Sequence, residues 1–352
     1  MPYLYAHACC SALAREALFY GSLPPFPLLD RLSAKKGVPP LTPPFDALLD
    51  AKEGPVALIQ SRLSLYRWGA QGPDIWFYHW MVRPLSKVHK WGNRIHAENV
   101  NLTMEGLLDC VLAAAGEERA GRFAYFSGFL THYALDSVGH PFVHSRCGSY
   151  RYHTMFEAEL DTALLALSGT DPAKIPPAVN MPQLSAKDAR VVCAMQTAIV
   201  RRWGESTAKN VLPSIVNKAR KMLARQYDPK GRKRRFAVLL EKAAAGRPII
   251  SRFIFPLTAD PKRDMLNLRH SEWPIPWSGE IRTADFLEIL EAAALRAAGY
   301  ICALFNCAYA GAPRETALQT IGQLSFDNGL PWLDSFVEEP YNASVYTQKP
   351  RR

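Results

Sequence analysis

Apolar and polar residues recur along most of this chain with the spacing of amphipathic helices. Runs of alternating residues long enough to predict a strand are absent. The pattern predicts helices over 4–18, 53–66, 103–116, 118–139, 153–168, 186–226 (as one or two helices), 236–245, 283–309 and 313–323. Proline-rich stretches at 24–47 and 170–183 predict loops, the first with room for a short helix. The sequence therefore predicts an all-α fold, with one multi-helix domain over residues 1–333 and an irregular tail over 334–352.

Two residues mark predicted helix ends. Thr103 is a candidate N-cap for the helix over 103–116. Pro141 is predicted to end or kink the helix over 118–139, because proline lacks an N–H and clashes with the preceding turn. His140 precedes this expected break and His144 follows it.

Composition narrows the class of protein. Of the 352 residues, 48% are hydrophobic and 11% aromatic, which is typical of a folded globular chain. The chain contains no run of eighteen apolar residues, so we expect no transmembrane helix. The first twenty residues lack the basic start of a signal peptide and fit a first helix instead. The seven scattered cysteines contain no CxxC pair, so we expect neither a disulfide framework nor a thiolate zinc site, and we predict a cytoplasmic location.

The net charge of +10 is concentrated in residues 218–235, which hold nine Lys or Arg and one Asp. One interpretation is a solvated loop, since a turn signal interrupts the run and no apolar face is evident. The other is a surface for anionic lipid or nucleic acid. Its candidate residues are Lys230, Arg232, Lys233, Arg234 and Arg235.

The densest chemistry lies in residues 132–157. Four potential ligands recur there at every fourth position: His132, Asp136, His140 and His144. A helix turns about 100° per residue, so such groups share one face. His153 and Glu157 repeat the spacing on the next predicted helix. A single histidine in a core is usually bonded to a carbonyl, but this many buried titratable groups without a cation would leave charges unpaired. Imidazole and carboxylate ligands together predict zinc.

Two further segments carry candidate ligands. Asp74 follows a Gly-Pro pair in a loop, and His96 stands at the start of a predicted helix. The aromatic residues after Asp74 could line the site or belong to the core: Trp76, Phe77, Tyr78 and Trp80. The other histidines are interpreted as surface, packing or structural residues: His79, His89 and His270.

In order along the chain, these motifs resemble the zinc-dependent phospholipase C family, which shares its fold with P1-type nucleases. The resemblance rests on an early histidine, a GPD loop, a single histidine after it, an HxxxD helix with a following His-Pro, and an HxxxE helix. Here these are His7, Asp74, His96, His132 with Asp136, His140, and His153 with Glu157. The fold implied is an all-α bundle of the phospholipase C/P1 nuclease type.

The resemblance also implies a cluster of two or three zinc ions. The first would be held by Asp74, His96, His132 and Asp136, and the second by His140, His153 and Glu157, with His144 as an alternative to His140. The third would be held by His7, Asp136 and the N-terminal amine.

The implied activity is hydrolysis of a phosphodiester by a zinc-activated water, with Asp74 as both ligand and proton acceptor. The substrate would be a phospholipid head group or a nucleotide, and peripheral membrane contact is compatible with either. Two alternatives stay open: a nuclease or nucleotidase of the same fold, and a non-catalytic zinc-binding protein.

Overall fold

A computed structural model describes residues 4–78, 88, 90–204, 212–244, 249–260 and 262–334. Within these ranges the regular secondary structure is helical apart from one short hairpin and a single isolated bridge, so the predicted all-α fold class is confirmed. The α-helices are α1 Leu4–Tyr20, α2 Leu28–Leu32, α3 Gly54–Ser61, α4 Leu63–Gly69, α5 Lys90–Ala97, α6 Val100–Leu112, α7 Gly116–Cys147, α8 Tyr150–Leu167, α9 Ala186–Arg202, α10 Leu212–Gln226, α11 Arg232–Ala244, α12 Phe286–Tyr309 and α13 Arg314–Ile321.

Short 3₁₀ turns and one antiparallel hairpin join the helices. The turns are Gly72–Phe77, Pro177–Asn180, Ser251–Phe253 and Trp332–Asp334. The strands are β1 Trp273–Pro274 and β2 Ile281–Arg282, paired as Trp273 with Arg282 and Pro274 with Ile281. Within the described ranges, no helix is both long enough and apolar enough to cross a bilayer.

The 32-residue helix α7 lies at the centre of the fold. Helices α1, α4, α9 and α12 pack around it, and nearly every side chain from Phe123 to Val143 is buried. Two glycines bring α4 against α7, since a Cβ at Gly69 or Gly128 would lie 2.0 Å from a carbonyl oxygen of the other helix. This close crossing places the loop after α4 beside the middle of α7.

Of the two outcomes predicted at Pro141, an end of the helix is wrong, because α7 continues through it to Cys147. The missing N–H leaves the carbonyl of Ser137 without its helical donor. That carbonyl lies against Gly329, where a Cβ would approach its oxygen to 2.2 Å. Neighbouring helices bury both sides of this segment, so packing outweighs the lost hydrogen bond. As a result, His144 stays on the same helix as His132.

Other boundaries also differ from the sequence prediction. Arg62 leaves helical geometry and divides the expected helix over 53–66 into α3 and α4. Thr103 is not an N-cap, since α6 begins at Val100. Helix α11 begins four residues early because the Asp228 side chain accepts the backbone N–H of Arg234 in its first turn. The hairpin was not predicted, because strands of two residues carry no periodic signal.

Buried apolar side chains form one cluster that extends from Leu4 in α1 to Phe326 in the loop after α13. The domain limit at residue 333 stays a prediction. The tail from residue 335 onward, and both His79 and His89, lie outside the described residues.

Candidate metal centre

One face of α7 carries the row predicted from the four-residue spacing. Its side chains, His132, Asp136, His140 and His144, are all buried. They point toward ligand candidates from the 3₁₀ turn after α4 and from helices α1, α5 and α8. The centre is thus assembled from five separate segments of the chain.

The first group lies around His132. His132 Nε2 is 2.9 Å from Asp136 Oδ2, and His96 Nε2 is 3.4 Å from the same oxygen. His96 Nε2 is also 3.4 Å from Asp74 Oδ1. Ligand atoms of Asp74, His96 and His132 all lie within 4.8 Å of one another. The four residues expected to share one zinc are therefore together.

Asp136 joins this group to a second set of atoms. Its Oδ1 is 3.4 Å from His7 Nε2, while Oδ2 faces His96 and His132. The His7 and His132 rings stack with centroids 4.1 Å apart. A carboxylate that presents one oxygen to each side has the geometry of a bridging ligand. The N-terminal amine, the other ligand implied for a third zinc, lies outside the described residues.

The third group lies one helical turn further along α7. Glu157 Oε1 is 2.8 Å from His153 Nε2 and 3.6 Å from His140 Nε2. All three residues offer ligand atoms within 4.8 Å of one another. The set expected for a second zinc is therefore also brought together.

Backbone carbonyls orient three of these histidines. Nδ1 of His96 donates to Gly92 O at 2.7 Å, and Nδ1 of His132 donates to Ala70 O at 3.2 Å. Nδ1 of His140 donates to Phe326 O. A carbonyl can only accept, so each Nδ1 carries a hydrogen and each Nε2 is turned toward the carboxylates.

This arrangement calls for positive charge. Burial lowers the pKa of His96, but Asp136 and Asp74 outweigh it and raise the pKa to about 9. Burial likewise opposes protonation of His140, yet Asp136 and Glu157 raise its pKa to about 10. The pKa of Asp136 is held well below its usual range, despite burial, by His132 and His140. Without a cation, the carboxylates are balanced by protonated histidines.

The residues fit zinc on their own chemistry. His132 Nε2 is buried without a hydrogen bond of normal geometry, although carboxylate oxygens surround it. A lone pair directed at carboxylates is repulsive unless a cation lies between them. Nitrogen and oxygen donors in sets of three or four match zinc coordination. Carbonyl-bonded second nitrogens are typical of histidine ligands.

His140 is better placed than His144 to bind with Glu157. His144 directs its Nε2 to Asp327 O, at 3.0 Å, and its ring lies beside His153 at 4.8 Å between centroids. Cys147 completes a further compact group with these two histidines. His140 and His144 therefore both border His153, and His140 directs its Nε2 toward Glu157.

We expect His140→Ala to remove about one zinc ion per chain, because it deletes a nitrogen facing Glu157. His144→Ala should leave zinc content within about a tenth of the parent's, because it keeps the donors of His140, His153 and Glu157 together. Metal content by plasma mass spectrometry, on protein purified without chelator, measures both variants. The reverse pattern would assign the ligand to His144.

A loop near the C-terminus contributes contacts that no motif indicated. Phe326 donates its N–H to His96 O at 2.9 Å, and its carbonyl accepts from His140. The Phe326 ring packs on the edges of His96 and His132. Asp327 adds electrostatically to the raised pKa of His96 and of His140. Backbone carbonyls carry no residue signature, so sequence spacing could not reveal this loop.

Helix α1 is fixed by a second residue that sequence analysis missed. Asp161 on α8 is buried and accepts the N–H groups of Tyr5 at 3.0 Å and Ala6 at 2.9 Å. These N–H groups belong to the first turn of α1, where helices lack internal acceptors. Because His7 follows directly, Asp161 fixes its position against Asp136.

Of the remaining predicted residues, one aromatic side chain touches the centre and the others that the structure describes belong to the core or the surface. Trp76 and Tyr78 are fully buried core residues, while Phe77 stacks on His96. Trp80 lies outside the described residues. His270 is exposed near Asp285 and Glu288, carboxylates that already form the capping box of α12.

The basic candidates divide into two kinds. Arg234 turns inward, 3.7 Å from Glu159, whereas the others of the set are exposed: Lys230, Arg232, Lys233 and Arg235. Lys233 donates to two carbonyls at the C-terminal end of α10, those of Arg225 and Tyr227. The expected loop is in part the first turn of α11.

The fold and the clustered histidines and carboxylates define an all-α protein with a candidate metal centre. Comparison with protein families gives a match to the model described as "Zinc dependent phospholipase C", which covers residues 42–210. The resemblance to the zinc dependent phospholipase C family is thereby confirmed over this region, which is slightly less than half of the chain. The matched region includes every candidate ligand except His7. No curated protein and no solved structure matched the chain.

Proposed function

We propose that the protein is a zinc-dependent phosphodiester hydrolase that cleaves the head group from a phospholipid, in the manner of a phospholipase C. The observation that carries the proposal is the position of Asp136, whose two oxygens face different sets of histidines. Such a carboxylate suits neighbouring cations, and paired cations suit displacement at phosphorus. The family resemblance adds the phospholipid class of substrate.

The proposed ligands divide between three ions: Asp74, His96, His132 and Asp136; His140, His153 and Glu157; and His7 with Asp136. When bound, zinc would lower the pKa of a coordinated water to near neutrality and polarise phosphoryl oxygens. His7 and His132, stacked on one another, hold Asp136 between the groups. Fixed dipoles that need no rearrangement during the reaction favour the charged transition state.

Asp74 is proposed as the proton acceptor. Its side chain is 15% exposed, against 1–7% for His96, His132 and Asp136. It thus reaches solvent while its Oδ1 stays 3.4 Å from His96. A carboxylate at this edge can take a proton from an incoming water and release it to solvent.

The function is tested with zinc-loaded protein on phosphatidylcholine and phosphatidylglycerol, with diacylglycerol and the phosphorylated head group measured as products. We expect both products in equal amounts, and their loss after chelation. Single-stranded DNA and a nucleoside monophosphate serve as parallel substrates. Cleavage of these alone would indicate a nuclease or nucleotidase, and stoichiometric zinc without any hydrolysis would indicate a non-catalytic zinc protein. The cytoplasmic location stays a prediction.

A further inference from the structure

Helix α11 presents its apolar side to solvent. Phe236, Leu239 and Leu240 are 64%, 66% and 50% exposed. Their spacing of three and four residues places them on one face of the helix, with Ala243 one turn further along. A helix that served only to cover the core would turn this face inward.

Polar contacts fix this orientation from the inner side. Arg234 lies 3.7 Å from Glu159 of α8, and its backbone N–H is accepted by buried Asp228. Ala237, about one helical turn further along, and Glu241, about two turns further along, are buried on the same side. The outward apolar face is therefore held in place by charged groups behind it.

Glu241 ties residues 249–251 to the inner side of α11. Its Oε1 accepts the N–H groups of Ile249 at 2.8 Å and Ser251 at 2.9 Å, together with that of Ile250. Its Oε2 accepts the hydroxyl of Ser251. These contacts hold α11 with Phe236, Leu239 and Leu240 turned to solvent.

The apolar side chains are bordered by positive charge. Lys230, Arg232, Lys233 and Arg235 are exposed at the start of α11, and Lys242 is exposed near its end. The acidic residues of this segment, Asp228 and Glu241, are buried and bonded to backbone N–H groups. The outer face therefore combines exposed apolar side chains with exposed cations.

We propose that this face docks the protein on an anionic lipid bilayer. The α11 docking surface consists of an apolar part, Phe236, Leu239 and Leu240, and a basic part, Lys230, Arg232, Lys233 and Arg235. The apolar part would enter the boundary between head groups and acyl chains, and the basic part would contact anionic head groups. Docking does not require hydrolysis, so the proposal stands apart from the proposed function.

The composition favours a bilayer over other anionic partners. Nucleic-acid surfaces combine cations with polar or aromatic side chains, whereas two of the three large apolar residues here are Leu. Protein interfaces are depleted in lysine, and this rim contains Lys230 and Lys233. Basic residues beside exposed Leu and Phe are the pattern of helices that lie in a membrane interface.

The test is sedimentation of the full chain with vesicles of phosphatidylcholine containing about one-third phosphatidylglycerol, at the membrane charge density where such segments bind. Phe236→Ser/Leu239→Ser/Leu240→Ser should weaken binding at least about tenfold, because each serine removes inserted apolar surface. Leu48→Ser/Ile281→Ser/Leu295→Ser is the matched control, since these residues are similarly exposed elsewhere. Both triple variants should keep the parental melting temperature.

The basic part is tested by Lys230→Glu/Arg232→Glu, which places acidic residues at or before the start of α11, where they are compatible with a helix. Vesicle binding by this variant should be at least about tenfold weaker than binding by the parent. Binding by the parent should itself weaken as the salt concentration rises. Lys36→Glu/Lys52→Glu, with the same change in net charge at exposed sites, should bind as the parent does.

Equal binding by parent and serine variant would overturn the proposal. So would a loss of single-stranded DNA retention in the charge variant combined with unchanged vesicle binding, since that result describes a nucleic-acid surface. Concentration-dependent dimerisation abolished by the serine variant, without vesicle binding by the parent, would assign the face to a second copy. If the serine variant fails to fold, the charge pair and the salt dependence decide the question.

Discussion

Asp136→Asn should lose most of its bound zinc and at least about 100-fold of its phosphodiester hydrolysis. The amide keeps the size of the side chain but offers one neutral oxygen where the carboxylate offers two. In the parent, Oδ1 faces His7 and Oδ2 faces His96 and His132, so no single orientation of an amide serves both sides. Mutating a residue that only supports a metal ligand typically lowers metal affinity or activity about 10–100-fold. Mutating a bridging ligand itself should lower them by at least the upper value.

Asp228→Asn is the control for this variant. Asp228 is equally buried, and it accepts a backbone N–H, but it lies at the start of α11 away from the metal centre. It should change stability without changing zinc content. Plasma mass spectrometry gives zinc per chain and product formation gives activity. Intact zinc in Asp136→Asn would show that the cluster is assigned incorrectly.

The second large effect requires no change of ligand. Gly72→Ala should weaken zinc binding at least about tenfold and lower activity by a similar or larger factor. A Cβ at residue 72 would lie 2.3 Å from His132 Cδ2 and 2.8 Å from its Nε2. The ring is buried among close-packed neighbours, so no small adjustment can relieve this contact. The added methyl group must therefore displace the ring from the position that faces Asp136 and Asp74.

Gly54→Ala separates this contact from backbone strain. Both glycines have positive φ, 51° at Gly72 and 78° at Gly54, and alanine is strained at either position. Nothing lies within 4 Å of a Cβ at residue 54. Both variants should therefore lose stability in thermal unfolding, while zinc affinity by competition with a chelating dye should fall only for Gly72→Ala. Equal zinc affinity in the two would contradict the steric explanation.

The sequence predicted the parts that depend on local spacing. Ligands at i and i+4 on α7 and α8 share a face by helix geometry alone, so His132 with Asp136 and His153 with Glu157 could be paired in advance. The continuation of α7 through Pro141 could not, because it depends on helices distant in sequence that bury both sides. The roles of Gly72 and Phe326 were equally hidden, since one acts by lacking a side chain and the other through its carbonyl.

The orientation of α11 shows the same limit. Its pattern places Phe236 and Leu239 on one face, and spacing alone would assign that face to the core. Glu241 decides otherwise, because its carboxylate is engaged by the backbone of residues 249–251 on the opposite side. A buried acceptor surrounded by N–H groups is recognised only once the loop is folded.

The carbonyl of Phe326 also sets a time for assembly during synthesis. Glu157 leaves the ribosome about 170 residues before Phe326, which is roughly 10–30 s at ordinary elongation rates. Throughout that interval His140 lacks the acceptor that fixes its Nδ1 hydrogen, and His96 lacks the Phe326 ring that covers its edge. The nascent chain therefore carries its histidines and carboxylates as a loose chelator, open to whichever cation is abundant. Selection of the correct ion therefore falls to the chain once Phe326 is in place.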